Sequence, residues 1–264
     1  MSLMVVFGLY LALGALAGTL AGLFGIGGGL VIVPVLIFSF GLQGVSADIA
    51  AHLAVGTSLA TIVFTSLSSI RSHHRRGAVR WELFRPMVVG ILVGAALGAW
   101  TASLLSGAAL ELIIGVFVIL VAFKMLLDIN PKTARPEPGA PLLGVAGTVI
   151  GWGSAIFGIG GGTLTVPFLS WRSVNMQQAV ATSAACGLPI AIAGAATNVW
   201  TGWGRAALPD YAIGFVYLPA LIGIVATSVI FARFGAILAH RLDAKLLKRL
   251  FAILLLIVGT RFLF

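Results

Sequence analysis

Apolar residues run along this chain in long blocks separated by short polar stretches, and the blocks fall into two sets of five. The first set covers 3–24, 28–41, 47–70, 84–105 and 109–128; the second covers 141–159, 162–171, 176–200, 211–232 and 246–264. Most approach the ~20 residues that a helix needs to cross a bilayer. The blocks at 28–41 and 162–171 are too short for that, and each follows a cluster of glycines. Between the sets lies Pro131-Lys132-Thr133-Ala134-Arg135-Pro136-Glu137-Pro138-Gly139-Ala140-Pro141, whose prolines and mixed charges read as an extended linker. The expected division is therefore 1–130 as a first transmembrane repeat, 131–141 as a Pro-rich linker and 142–264 as a second repeat.

Composition places these blocks in lipid. The chain of 264 residues is 60% hydrophobic and 9% charged, with a mean hydropathy of +1.13. Too few polar atoms exist to cover a water-soluble domain of that size. The expected fold is an all-α polytopic membrane protein. Its net charge of +9 does not imply nucleic acid as a partner, because the basic residues are confined to short stretches. They cluster at Arg71, Arg75, Arg76, Arg80 and Arg85, and again at Arg233, Arg241, Lys245, Lys248 and Arg249, in the manner of cytoplasmic loops. Placing both clusters inside puts the turn at Ser106-Gly107 and the loop with Arg205 and Asp210 outside. The sequence start has neither a basic leader region nor an A-x-A site, so it is read as part of the first helix.

A duplicated device sits within the two sets. The run FGIGGG occurs as Phe24 to Gly29 and as Phe157 to Gly162, and the offset of 133 positions also relates Pro34 to Pro167. A second shared run, Ala54-Val55-Gly56-Thr57-Ser58-Leu59-Ala60, matches Ala179-Val180-Ala181-Thr182-Ser183-Ala184-Ala185 at an offset of 125. The second copy has thus lost eight residues in the region of Gln43 to Asp48. An odd number of segments per copy inverts the second relative to the first, and the charge bias agrees with inversion.

Consecutive glycines in hydrocarbon have a restricted set of uses. An irregular backbone is tolerable there only when buried in protein or facing a wet cavity, because its amides must be paired. Glycine also admits positive φ and close approach of a ligand to the main chain. A helix resuming at Leu30 or Thr163 would aim free amides and the positive end of its dipole at the break, where an anion is the natural occupant. Close helix packing is the competing use of glycine, but it needs i, i+4 spacing rather than three in a row. A dinucleotide fingerprint is excluded, since both runs lie inside apolar blocks and no soluble strand precedes either. The expected substrate-binding set is Gly27, Gly28, Gly29, Gly160, Gly161 and Gly162, with hydroxyls from Thr57, Ser58, Thr163, Thr165, Thr182 and Ser183. Replacing Gly161 by valine is expected to abolish anion binding in a protein that still folds.

The paired signature GxGGG(x)4P, at Gly25 to Pro34 and Gly158 to Pro167, with the hydroxyl-bearing third helix of each set, resembles the TauE/SafE sulfite exporter family of bacterial and archaeal inner-membrane permeases. The resemblance spans essentially the whole chain. It implies transport of a small anion, such as sulfite or an organosulfonate, in either direction across the cell inner membrane. It carries over no site residue beyond the signature positions.

Several polar residues carry two readings each. His52 could relay a coupled proton or serve as a hydrogen-bonded packing residue. Asp48, with Ser46 beside it, reads as a helix cap. His73 and His74 read as part of an interfacial basic cluster rather than a metal site. Cys186, with no partner cysteine, reads as a small core residue. Asn198 could hydrogen-bond a substrate oxygen, Trp200 and Trp203 suit an interface belt, and Arg172 could clamp an anion or snorkel to head groups. No metal and no cofactor is expected. The expected partners are the small anion, a coupled proton and the lipid bilayer, with a homodimer as a candidate assembly. The function that follows is a secondary active transporter. An anion channel is the alternative, and a membrane-embedded enzyme is a weaker one because no serine–histidine pair, HExxH run or carboxylate dyad falls within the segments.

Overall fold

The computed structural model describes residues 3–24, 28–127, 136–239 and 244–262. Gly25 to Gly27, residues 128–135, Arg241 and the side chains of Arg233, Lys245 and Lys248 lie outside what is described. The first set of blocks folds as α1 (Leu3–Phe24), α2 (Gly29–Leu42), α3 (Ala47–Arg75), α4 (Trp81–Leu104) and α5 (Gly107–Leu126). The second folds as α6 (Ala140–Ile156), α7 (Gly162–Trp171), α8 (Met176–Gly202), a hairpin of β1 (Ala212–Ile213) and β2 (Val216–Tyr217), α9 (Leu218–Ala239) and α10 (Ala244–Arg261). Among the described residues α3, α4, α5 and α8 are each long and apolar enough to span a membrane.

Polar residues written just ahead of the helices start them. Ser106 Oγ accepts from the Ala109 amide at 3.2 Å, and Asn175 Oδ1 accepts from the Gln177 amide at 2.9 Å, each satisfying a first-turn donor. At α3 the capping atom is Ser46 Oγ, which accepts from the Asp48 amide at 3.3 Å. Asp48 therefore serves the helix as a first-turn negative charge, favourable to the dipole, rather than as the cap itself.

The block expected at 211–232 begins differently. Its first residues form the hairpin, with Ala212 opposite Tyr217 and Ile213 opposite Val216. Gly214 at φ 53° permits the tight turn, and the Phe215 amide donates to the Asn198 carbonyl at 3.1 Å, pinning the turn to α8. Helix resumes only at Leu218, with Pro219 in its first turn, where a missing N–H costs nothing.

Tertiary packing exchanges partners between the two sets. α1 lies along α9, and α6 lies along α4. Both pairs run parallel: Gly14 faces Ile224 and Gly18 faces Ser228, while Gly147 faces Met87 and Gly151 faces Ile91, in each case against main chain. Gly14 and Gly147, like Gly18 and Gly151, stand 133 positions apart. α3 and α8 cross antiparallel at the centre, with Gly56 beside Asn198 and Gly194 beside Leu59. α2 packs on α3 as α7 packs on α8, and α5 pairs with α10. Replacing each helix of one set by its counterpart in the other thus returns the same main pairings. α3 and α8 are the inner helices, 61% and 67% buried over their spans against 28% for α5. A site enclosed by protein must lie near the first two.

Two hydrogen bonds repeat the exchange at atomic scale. The amide of Tyr217, the residue before α9, donates to Thr57 Oγ1 at 2.9 Å. The amide of Arg80, the residue before α4, donates to Thr182 Oγ1 at 3.0 Å. Each inner helix thereby holds the entrance of the other set's fourth helix.

Candidate functional site at the paired glycine breaks

α6 stops at Ile156 because Phe157 and Gly158 turn the chain away, Gly158 taking φ +64°, which L side chains rarely adopt. The Ile159 amide folds back onto the Ser154 carbonyl at 3.0 Å and the Gly158 amide onto Ala155 at 3.3 Å, closing the helix end. Helix resumes at Gly162 after N-cap Gly161. In the first set, α1 ends at Phe24 and α2 starts at Gly29 after Gly28 at φ 55°. Gly27, expected to bind charge, lies outside the described residues.

The two breaks meet. A Cβ built on Gly29 would stand 2.7 Å from the Gly158 carbonyl oxygen and 3.0 Å from Ile159 Cα. One built on Gly158 would stand 2.8 Å from Val33 on α2 and 3.0 Å from Val55 on α3. Ser58 Oγ donates to the Gly158 carbonyl at 2.7 Å, tying α3 to the opposite break. Gly161 is equally confined: a Cβ there would lie 2.5 Å from the Ser183 carbonyl oxygen and 3.0 Å from the Gly187 nitrogen, both main chain of α8. The glycine run therefore interrupts the helix and packs closely at once. A valine at Gly161 would strike α8, so that variant does not isolate anion binding from folding.

The hydroxyls divide into two groups. Thr57 and Thr182 accept the amides already described, Ser58 donates to Gly158, and Ser183 Oγ donates to the Val180 carbonyl at 2.8 Å. Around the second break the situation is reversed. Thr163 Oγ1, Thr165 Oγ1 and Ser154 Oγ are buried without a partner, and Thr165 and Ser154 are 0% exposed. An unsatisfied buried hydroxyl costs about 1–3 kcal/mol, and all three stand within a few residues of the second break in sequence. The first turn of α7 adds donors: Thr165 N bonds to Gly161 O, while the amides of Gly162, Thr163 and Leu164 have no helical acceptor. No charged side chain occurs from Ala140 to Trp171. Ser154 carries no sequence signal, being one serine in a glycine-rich helix. At the positions matching Ser154, Thr163 and Thr165 by the 133 offset, the first set has Ala21, Leu30 and Ile32, so these three hydroxyls have no sequence counterparts there.

The remaining candidates occupy other surroundings. Asn198 Nδ2 donates to the Gly194 carbonyl of its own helix at 2.8 Å. Cys186 is fully buried in the core. Trp200 and Trp203 are exposed. Arg172 sits at the end of α7 with its guanidinium 5.5 Å from the Trp171 ring centroid and Nε buried without a partner. His74 Nδ1 accepts from the Trp81 indole N–H at 3.3 Å. His52 lies at the far end of α3, 3% exposed, with each ring nitrogen 3.1 Å from a carbonyl oxygen, Asp48 O and Ala102 O.

Comparison with known proteins finds membrane transporters along nearly the whole chain. The family model for "Sulfite exporter TauE/SafE" matches residues 10–262. A "Probable membrane transporter protein" of Haemophilus influenzae is 39% identical over 252 residues, covering 95% of this chain and 96% of the relative. A "Probable membrane transporter protein" of Bacillus subtilis is 26% identical over 278 residues, covering 98% and 97%. Another from Methanocaldococcus jannaschii is 27% identical over 255 residues, covering 95% and 93%. No solved structure matches the chain.

Proposed function

The chain belongs to the sulfite exporter TauE/SafE family of membrane transporters, and from that premise we propose that it is a secondary active transporter of a small oxyanion held at the paired glycine breaks. Sulfite is the substrate that the family name favours, and organosulfonates share its oxyanion head. The observation that carries the reading is the second break: three amides without a helical acceptor and three buried hydroxyls without a partner, in a stretch lacking any charged side chain. Neutral donors of that kind bind an anion without fixing a counter-charge, which lets it leave again. Thr163, Thr165 and Ser154 join Gly160, Gly161 and Gly162 as its principal ligands, and Gly28 and Gly29 face it from the other copy. Ser58 and Thr57 hold neighbouring backbone in place.

The two sets of helices are read as inverted repeats, with both basic clusters, which fall mostly within the facing ends of α3 and α4 and of α9 and α10 rather than in loops, on the cytoplasmic side of the cell inner membrane. Inversion and the swapped pairings α1–α9 and α6–α4 suit alternating access, since one bundle can rock against the other about the α3–α8 crossing.

The test uses Thr165→Val, which keeps shape and removes only the hydroxyl. Purified protein is screened by thermal shift with sulfite, sulfate, thiosulfate, sulfoacetate, taurine and carboxylates, and any hit is followed by counterflow in liposomes. The ligand-free variant should be as stable as wild type or more so, because an orphan hydroxyl has been removed. Its response to the stabilising anion should fall roughly tenfold, one charge-assisted hydrogen bond's worth. An undiminished response would remove Thr165 from the site, and no response of wild type to any anion would sink the reading.

A further inference from the structure

His52 is placed in a way that its neutral form does not explain. Nδ1 faces the Asp48 carbonyl and Nε2 faces the Ala102 carbonyl, each at 3.1 Å. A neutral imidazole has one N–H and one lone pair, so one of these contacts would set lone pair against lone pair. Only the imidazolium, with two N–H groups, satisfies both. The second acceptor lies near the C-terminal end of α4, where carbonyl oxygens gather and a cation is favoured. The ring is stacked on Phe215 with centroids 5.1 Å apart. From this geometry we propose that His52 binds the proton that couples to anion movement.

The site is wired to the glycine break through α3. Within six positions of His52, Gly56 abuts the Phe215 carbonyl, Thr57 accepts from Tyr217 ahead of α9, and Ser58 donates to Gly158. Loss of the proton leaves one ring nitrogen with its lone pair against a carbonyl oxygen, and in the tautomer where that nitrogen is Nε2 the α4 end is pushed away from α3. That movement is carried along one rigid helix to the break where the anion sits. The charged and titratable groups on the packed elements are few. Asp48 lies one turn back on α3, and Glu111 is the acidic group on α5, whose Gly107 packs against Asp48. Arg205 lies with Cζ 5.0 Å from the Phe215 ring centroid, and Asp210, Tyr211 and Tyr217 belong to the hairpin region; α4 has no charge from Pro86 to Leu104. At the position 125 further on, the second set has exposed Gln177, so the proton site exists in one copy only.

This inference rests on the transport reading for what the proton does, and on the ring geometry for where it binds, so the two are tested separately. Full-length protein with 15N-labelled histidine, of which it has four, is titrated by NMR; the His52 signal is the one lost in His52→Gln. If that variant does not fold, the signal is assigned from a variant lacking the other three histidines. Both ring nitrogens should be protonated at the lower end of about pH 5–8, with one proton lost toward the upper end. A singly protonated ring throughout, or a doubly protonated one throughout, overturns the proposal. In liposomes containing a pH dye, a sulfoacetate gradient should move protons with wild type. His52→Gln should keep sulfoacetate counterflow while its proton movement falls roughly tenfold, as expected when one coupling interaction is removed. Unchanged proton movement in that variant also overturns the proposal. Absence of sulfoacetate transport by wild type counts against that substrate alone, and the ring titration then decides the proton site.

Discussion

Gly161→Ala offers a measurement of how tightly the second break is held. Gly161 has φ −59° and ψ −26°, values that alanine adopts without strain. Freezing less chain freedom on folding would favour the variant by roughly 0.4–1 kcal/mol. Against this, the new methyl would lie 2.5 Å from the Ser183 oxygen and 3.0 Å from the Gly187 nitrogen. Both are main-chain atoms of α8 and cannot rotate aside, so overpacking of about 1–3 kcal/mol is expected. The middle of each range leaves a net loss of about 1.3 kcal/mol, or roughly 3–5 °C in melting midpoint. Cys186 supplies the readout, since it is the chain's one cysteine and fully buried. A maleimide fluorophore in detergent will report its exposure as the protein unfolds. Gly41→Ala is the control, because a Cβ there meets nothing within 4 Å, and its midpoint should hold or rise. Equal midpoints for Gly161→Ala and wild type would refute the close seating of the α7 start on α8.

Thr57→Val and Thr182→Val each strand a backbone amide, that of Tyr217 or Arg80, and should lower stability by about 1–3 kcal/mol. Similar losses in the two variants, read by the same cysteine assay, are expected from the reciprocal arrangement; a loss in only one breaks the equivalence. Glu137→Gln removes the Arg80–Glu137 pair at 3.3 Å, whose side chains are 30% and 51% exposed, and should change stability by less than about 1 kcal/mol. Glu137's hydrogen bond is the main cause raising the Arg80 pKa. A raised cation value means that this contribution is complete below arginine's ordinary range and is lost only as pH climbs through the raised value. The wild-type-minus-variant difference should therefore be flat from neutral pH into moderate alkali, as checked by melts across that range.

Helix positions were legible because hydrocarbon imposes a single rule, and the apolar runs obeyed it to within about five residues except at α9, which starts and ends seven residues later than its block. The hairpin at 212–217 was not, because Ala212 to Tyr217 is a short apolar run joined directly to α9 and periodicity cannot separate strand from helix over six residues. The break itself was readable from three glycines in a row. Which hydroxyls stand unpartnered was not readable. Thr57 and Thr182 look like Thr165 in sequence, and only the approach of Tyr217 and Arg80 from distant parts of the chain separates them. The meeting of Gly29 with Gly158 is a long-range event of the same kind.

The parallel seam between α1 and α9 has a bearing on how this chain is made. Thr227 on α9 donates to the Leu11 carbonyl on α1 across 216 positions of sequence. During synthesis α1 is therefore without this partner, its glycine groove open, until α9 has left the ribosome. Assembly that depends on so late a partner is slow, and a nascent chain stalled before α9 would present an unfinished helix to the membrane's quality-control proteases.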